Sequence, residues 1–155
     1  MNGRCTCGAV RYRLTAQPLF VHACHCTWCQ RETGSAFALN AMIEAGFVDL
    51  LAGQPEEVVT PSASGRGQTV LRCPECRVAL WSHYAGAGRK VAFVRVGTLE
   101  RPGDCPPDIH IFTTSKVDWL ALDGRVPVMP GYYSWQDHWP EGSKARRAAL
   151  RGQGA

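Results

Sequence analysis

Apolar and polar positions alternate with a period of two along much of the chain. Val10, Tyr12 and Leu14 alternate with Arg11, Arg13 and Thr15, and Phe37, Leu39, Ala41 and Ile43 with Ala38, Asn40, Met42 and Glu44. Such alternation turns one face of an extended segment toward a core and predicts strands. Further short β-rich runs cover Glu57–Thr60, Gln68–Cys73, Ala79–His83, Val91–Val96 and His110–Thr113. Turn-forming stretches separate them, at 61–67, 86–88 and 102–107. Many short strands in a chain with 16 Gly and 10 Pro predict an all-β domain of packed antiparallel sheets.

Helical patterning is scarce. Thr114–Leu122 predicts one short turn around Trp119. Trp119, Trp81 and Phe93 read as core residues, since aromatics on β-rich segments usually pack. The segment 127–142 is rich in proline and aromatics (Tyr132, Tyr133, Trp135, Trp139) and suits an irregular stretch wrapping a sheet surface. The expected organisation is a β domain over 1–126, this wrapping segment over 127–142, and a basic tail over 143–155. The tail either forms an exposed helix over Ser143–Leu150 or stays disordered.

Composition narrows the classes. The chain has 155 residues and 45% hydrophobic content, enough for one core. Its 17 Lys+Arg against 13 Asp+Glu owe much of their excess to Lys144, Arg146, Arg147 and Arg151. A solvated basic tail accounts for them, and a nucleic-acid partner is not expected. The N-terminus Met1-Asn2-Gly3-Arg4 carries no apolar run, so no signal peptide is expected. No apolar stretch reaches the roughly 18 residues that span a bilayer. A cytoplasmic location is the expectation, and there clustered cysteines bind metal more often than they bridge.

Seven of the 8 cysteines form three clusters: Cys5-x-Cys7, Cys24-x-Cys26-x2-Cys29 and Cys73-x2-Cys76. A closed zinc site takes four protein ligands, whereas a reactive one keeps three and an open position. Cys73-x2-Cys76 needs a distant partner, and Cys5-x-Cys7 is the other isolated doublet, so these four suit a structural Zn2+. The trio Cys24, Cys26 and Cys29 leaves one place to fill. Alternation points His25 away if the segment is extended; Cys105, His110, His83, water or a substrate thiol remain. Three thiolates on Zn2+ leave a net charge of −1, a poorer setting for making hydroxide than three histidines, yet suited to holding an incoming thiol as thiolate. The polar stretch 30–35 reads either as a pocket lip, with Arg31 offered to a substrate carboxylate, or as an ordinary turn. His110 reads either as a proton acceptor near the metal or as a hydrogen-bonded core group.

Four ordered motifs carry a resemblance: Gly3-x-Cys5-x-Cys7-Gly8-Ala9-Val10-Arg11-Tyr12, Cys24-His25-Cys26-x2-Cys29-Gln30-Arg31 with Gly34-Ser35, Cys73-Pro74-x-Cys76, and His110-Ile111-Phe112-x2-Ser115-Lys116-x2-Trp119. The chain resembles the glutathione-dependent formaldehyde-activating enzyme family, which includes the centromere protein V relatives. The resemblance implies the all-β fold shared with a zinc-bearing Rab chaperone, the mammalian suppressor of a yeast secretory mutant. It implies a structural zinc on Cys5, Cys7, Cys73 and Cys76 and a catalytic zinc on Cys24, Cys26 and Cys29. The implied reaction joins glutathione and formaldehyde into S-(hydroxymethyl)glutathione, formally a carbon–sulfur lyase reaction. Glutathione or another small thiol and a small electrophile such as formaldehyde are the expected partners. The alternative is a non-catalytic, zinc-stabilised binding or chaperone-like module, using the Tyr132–Trp139 aromatics or the tail as its contact surface and Cys105 as a fourth ligand.

Overall fold

The computed structural model describes residues 1–62 and 64–152, with side chains through residue 150. It is mostly β, with strands β1 (Asn2–Arg4), β2 (Arg11–Leu14), β3 (Phe20–Cys24), β4 (Ala38–Glu44), β5 (Val48–Ala52), β6 (Glu56–Thr60), β7 (Gln68–Arg72), β8 (Ala79–Tyr84), β9 (Val91–Arg95) and β10 (Ile109–Ile111). Among the described residues, three α-helices accompany them: α1 (Thr27–Thr33), α2 (Trp135–His138) and α3 (Glu141–Gly152). None is long and apolar enough to cross a membrane. Residues group into two compact units, one of Met1–Pro18 with Ala41–Pro106, the other of Leu19–Asn40 with Pro107–Ala155.

In the first unit, β1, β2 and β5 form an antiparallel three-stranded sheet. The later residues of β4 and strands β9, β8, β7 and β6 follow one another in a second sheet, antiparallel from β9 to β6. Val10, Tyr12 and Leu14 are buried as their alternation predicts. Tyr12 meets the edge of Trp81 at 5.6 Å between ring centroids, so the two sheets share an aromatic contact at their inner faces. The Tyr12 hydroxyl bonds Thr98 Oγ1 at 2.6 Å, and Thr98 Oγ1 donates to the Arg95 carbonyl at 2.7 Å. Gly3 pairs directly with Tyr12, and a Cβ there would fall 2.3 Å from the buried ring. Only glycine lets the N-terminal strand lie against Tyr12.

In the second unit, β3 lies between β10 and the first residues of β4. The β3–β10 pair is parallel, with Ile109 opposite His22 and Ile111 opposite Cys24, where antiparallel pairing was expected. All five residues of β3 are buried, so it shows no alternation to read. β4 likewise buries both faces, including Asn40, Met42 and Glu44; a strand flanked on both sides and covered on both faces loses its polar face. The segment after Pro127 runs beside β10: Val128 makes a parallel bridge to His110, and Phe112 N–H donates to the Gly131 carbonyl at 3.0 Å.

Tyr133 and Trp139 of that segment pack inward, whereas Tyr132 is exposed. Phe20 lies 5.5 Å from Tyr133 and 5.7 Å from Trp139. Trp139 Nε1–H donates to Tyr133 Oη at 2.6 Å, so the Tyr133 hydroxyl donates in turn to His22 Nε2 at 2.5 Å. Burial holds His22 down to about 4, the neutral state that this acceptor role requires. α3 then docks its Arg147 guanidinium over Trp135 at 4.5 Å and Trp139 at 5.2 Å. The expected exposed helix is thus present and starts two residues earlier; residues 153–155 of the tail lie outside the described residues.

Two expectations need correction. Trp119 is 77% exposed, whereas Trp81 and Phe93 are buried. Trp119 belongs to no strand: Lys116 Nζ donates to the Val117 and Leu120 carbonyls at 2.9 and 2.7 Å, closing a tight turn that carries the indole outward. The polar stretch after Cys29 is not a turn at its start but helix, since α1 continues to Thr33.

Tyr133→Phe would leave two buried partners, His22 Nε2 and Trp139 Nε1, without a hydrogen bond. Each such loss costs about 1–3 kcal/mol, so urea unfolding should show a stability loss of roughly 2–6 kcal/mol with an unchanged dependence on denaturant.

Candidate metal centre

Seven thiols gather into two groups, and all are free of disulfides. The sulfurs of Cys5, Cys7, Cys73 and Cys76 lie within 4.8 Å of one another, as do those of Cys24, Cys26 and Cys29. Both sets are those expected from spacing.

The four-thiol group is built from two similar loops. In one, Cys5 N–H donates to the Val10 carbonyl and Gly8 N–H to the Cys5 carbonyl, both at 3.1 Å. In the other, Cys73 N–H donates to the Val78 carbonyl and Arg77 N–H to the Cys73 carbonyl, both at 3.0 Å. Each loop therefore closes on itself and turns its sulfurs to one side. Arg77 adopts a left-handed conformation with φ of 62°, a cost the loop accepts for a non-glycine residue; its guanidinium pairs with Glu56. Cys5 Sγ lies 3.4 Å from Cys7 Sγ, and Cys7 Sγ 3.7 Å from Cys73 Sγ. A tetrahedral Zn2+ with Zn–S near 2.3 Å sets sulfurs about 3.8 Å apart, whereas a disulfide brings them to about 2.05 Å. The spacing fits a shared cation and excludes bridging.

The trio lies where β3 gives way to α1. Cys24 ends the strand, held by its pairing to Ile111. Cys26 caps α1, and its sulfur accepts the Cys29 N–H at 3.4 Å. Crowded together, the three thiols compete for protons. Cys26 is driven down to about 2 by Cys24 and Cys29, helped by the Cys29 and Trp28 amides. Cys24 is pushed up by the same neighbours and by burial. The same crowding acts in the other group, where Cys76 falls to about 6 through the amides of Cys7 and Val78. Sulfurs this close are mutually stable as thiolates only around positive charge, so both donor sets suit a soft divalent ion such as Zn2+.

Among the described residues, no fourth Cys, His, Asp or Glu joins the trio. Cys105 is buried beside Met1, its thiol 3.5 Å from Sδ. His83 gives its Nδ1 to the Val91 carbonyl at 2.8 Å. His25 is fully buried, and its Nε2 meets His110 Nδ1 at 2.9 Å. Burial lowers both rings, His25 to about 4 with the His110 and Lys116 charges adding to the effect. His110 is thus hydrogen-bonded to the residue between two of the three thiols, which the sequence did not reveal. Arg31 is exposed on α1, three residues beyond the half-exposed Trp28.

Comparison with known proteins now places this geometry. The family model described as glutathione-dependent formaldehyde-activating enzyme matches residues 1–115. The chain belongs to that family. A Halomonas elongata protein described as a candidate glutathione-dependent formaldehyde-activating enzyme is 25% identical over 132 residues, covering 81% of this chain and 82% of its own. A Rhodobacter sphaeroides protein of known crystal structure superposes with a TM-score of 0.51 at 18% identity, covering 83% of this chain and 99% of its own; that likeness concerns the fold. The family match stops at Ser115, so the Tyr133–Trp139 cluster and α3 lie beyond it.

Gly53 adopts φ of +69°, and a Cβ there would fall 2.3 Å from the Ala9 carbonyl oxygen in the first cysteine loop. Gly53→Ala should therefore cost about 1–3 kcal/mol through backbone strain alone, with the clash displacing the Cys5–Val10 loop. A thermal melt over a chelator series reads the effect: the variant should lose its metal-dependent stability at a lower chelator concentration than the parent chain.

Proposed function

We propose that the chain adds a small thiol, glutathione in the first place, to formaldehyde or a related small electrophile at the Cys24–Cys26–Cys29 site. The observation that carries this reading is a trio of clustered thiols, none in a disulfide, that no further Cys, His, Asp or Glu among the described residues joins. Family membership supports the pairing of glutathione with formaldehyde. A Zn2+ held by the three thiolates would keep the incoming sulfur as thiolate, the nucleophilic form. In the same proposal, Cys5, Cys7, Cys73 and Cys76 hold a structural ion and take no part in chemistry.

The chain's own residues do the rest. The incoming S–H bond breaks as its proton passes to a base; His110, kept neutral by burial and tied to the site through His25, suits that role. The sulfur lone pair forms the new carbon–sulfur bond, the carbonyl π pair moves to oxygen, and that oxygen takes up a proton to give the hydroxymethyl thioether. Run in reverse, the same steps break a carbon–sulfur bond, which is lyase chemistry. Arg31 and Trp28, on one exposed face of α1, offer a cation and an aromatic surface to the carboxylate and backbone of a peptide thiol. The alternative of a non-catalytic binding module finds less support, because Cys105 stands outside the trio and, of the aromatics it would use, Tyr133 and Trp139 are buried while Tyr132 is exposed.

X-ray absorption at the zinc edge tests the proposal. Two sites, one with four sulfurs and one with three, give an average near 3.5 sulfurs per metal, rising to about 4 with glutathione. An average of 4 without glutathione, unmoved by adding it, overturns the reading. Because thiols add to formaldehyde unaided, turnover must exceed background and must fall to background in Cys26→Ser.

A further inference from the structure

We infer that Gln30 is a positioning residue for the three-thiol site, acting with Ser115 as a clasp on the one residue that joins the two halves of that site. The inference rests on the proposed role of the trio as a metal site, but not on which thiol or electrophile it serves.

The trio is assembled from two pieces. Cys24 belongs to β3, whereas Cys26 and Cys29 belong to the first turn of α1. The distance between the pieces is set by the backbone at His25, the sole residue between Cys24 and Cys26. That residue is tied at each end. Its N–H donates to the Ile111 carbonyl at 2.9 Å, which extends the β3–β10 pairing by one bond. Its carbonyl accepts twice, from Gln30 Nε2 at 2.7 Å and from Ser115 Oγ at 3.0 Å. Gln30 Nε2 also donates to the Ser115 carbonyl at 2.8 Å, so both hydrogens of one amide nitrogen are used on two carbonyls.

This is a demanding arrangement for a side chain. A carboxamide has two N–H donors on one nitrogen; a glutamate in the same place would set an oxygen against two carbonyl oxygens. Gln30 is one position past Cys29 on α1, so the helix that carries two of the thiols is fastened by its own side chain to the turn after β10. That turn is held in place too. Phe112 takes a left-handed φ of 56°, which swings the chain out of β10, and its carbonyl lies 3.1 Å from Ser115 Oγ, so the one hydroxyl hydrogen of Ser115 is shared between the His25 and Phe112 carbonyls. A bulky residue in this conformation costs free energy and persists where surrounding contacts over-determine it. Here the contacts are those of the clasp and of the Phe112 N–H with Gly131. Gln30 spends its amide hydrogens on two backbone carbonyls, so its effect on the metal runs through the loop.

The test is a chelator competition on the full chain loaded with Zn2+ and, in parallel, with Co2+, whose thiolate absorption reports sulfur coordination. The four-cysteine site serves as an internal reference. Residues supporting metal ligands typically contribute 10–100-fold to affinity. Gln30→Met keeps the bulk and removes both donors; it should weaken one of two metals by 10–100-fold and leave the other unchanged. Gln30→Glu should weaken the same metal at least as much. Ser115→Ala, which leaves Gln30 in place, should weaken it by less, and it stands in if the Gln30 variants fail to fold. Release of both metals in parallel with a general fall in melting temperature overturns the inference, because that is a merely structural effect. Unchanged affinity at both sites in Gln30→Met, or in Ser115→Ala if it alone folds, overturns it as well. A parent chain that keeps two metals but ignores glutathione defeats the proposed reaction and leaves the clasp standing, whereas a parent chain holding one metal overturns both.

Discussion

Seven sulfur atoms within two small volumes repel one another as thiolates and compete for protons as thiols. The rest of the molecule is arranged to keep them together regardless. In the four-thiol group, two self-closed loops aim the sulfurs inward, at the cost of a left-handed Arg77 and a tight approach of Gly53 to Ala9. In the trio, a strand end and a helix start are joined through His25 and fastened by Gln30 and Ser115. The same need is met in the two cases by different means, because a loop can close on itself whereas a strand-to-helix junction needs an outside partner.

The two sites also differ in how much of the fold they hold. The first ties the N-terminal strand to the loop between β7 and β8, within a unit already joined by the Tyr12–Trp81 contact. The second stands on β3 and β10, a parallel pair supported by the segment after Pro127. The Trp139–Tyr133–His22 chain of hydrogen bonds fastens that segment to β3 two residues before Cys24. The chain beyond Ser115, outside the family match, therefore contributes to the support of the strand that carries the first thiol of the trio.

Much of this was legible in the residue pattern. Alternation located β2, which buries one face, and β-rich composition between turn signals located the strands from β6 to β9. It was silent on β3, whose five residues are all buried, on β1, which is too short to show a period, and on β5, which exposes neighbouring residues on both faces. α1 escaped notice because Thr27–Thr33 is polar and carries no apolar stripe; its signal was the cap at Cys26. Trp119 misled because an aromatic near a β-rich run usually packs, while here a lysine-closed turn turns it outward.

The sequence by itself determined which cysteines belong together, because spacing limits which sulfurs a short loop can present to one ion. It also determined the family, through motifs that keep their order from Gly3 to Ser115. Only the tertiary structure decided that the trio gains no further protein ligand among the described residues, that His110 reaches the site through His25, and that Gln30 spends both amide hydrogens on the junction. Those contacts join residues more than eighty positions apart or depend on the direction of a single side chain. Neither leaves a periodic trace in a linear chain, because it is the pairing of β3 with β10 that brings them within hydrogen-bond distance.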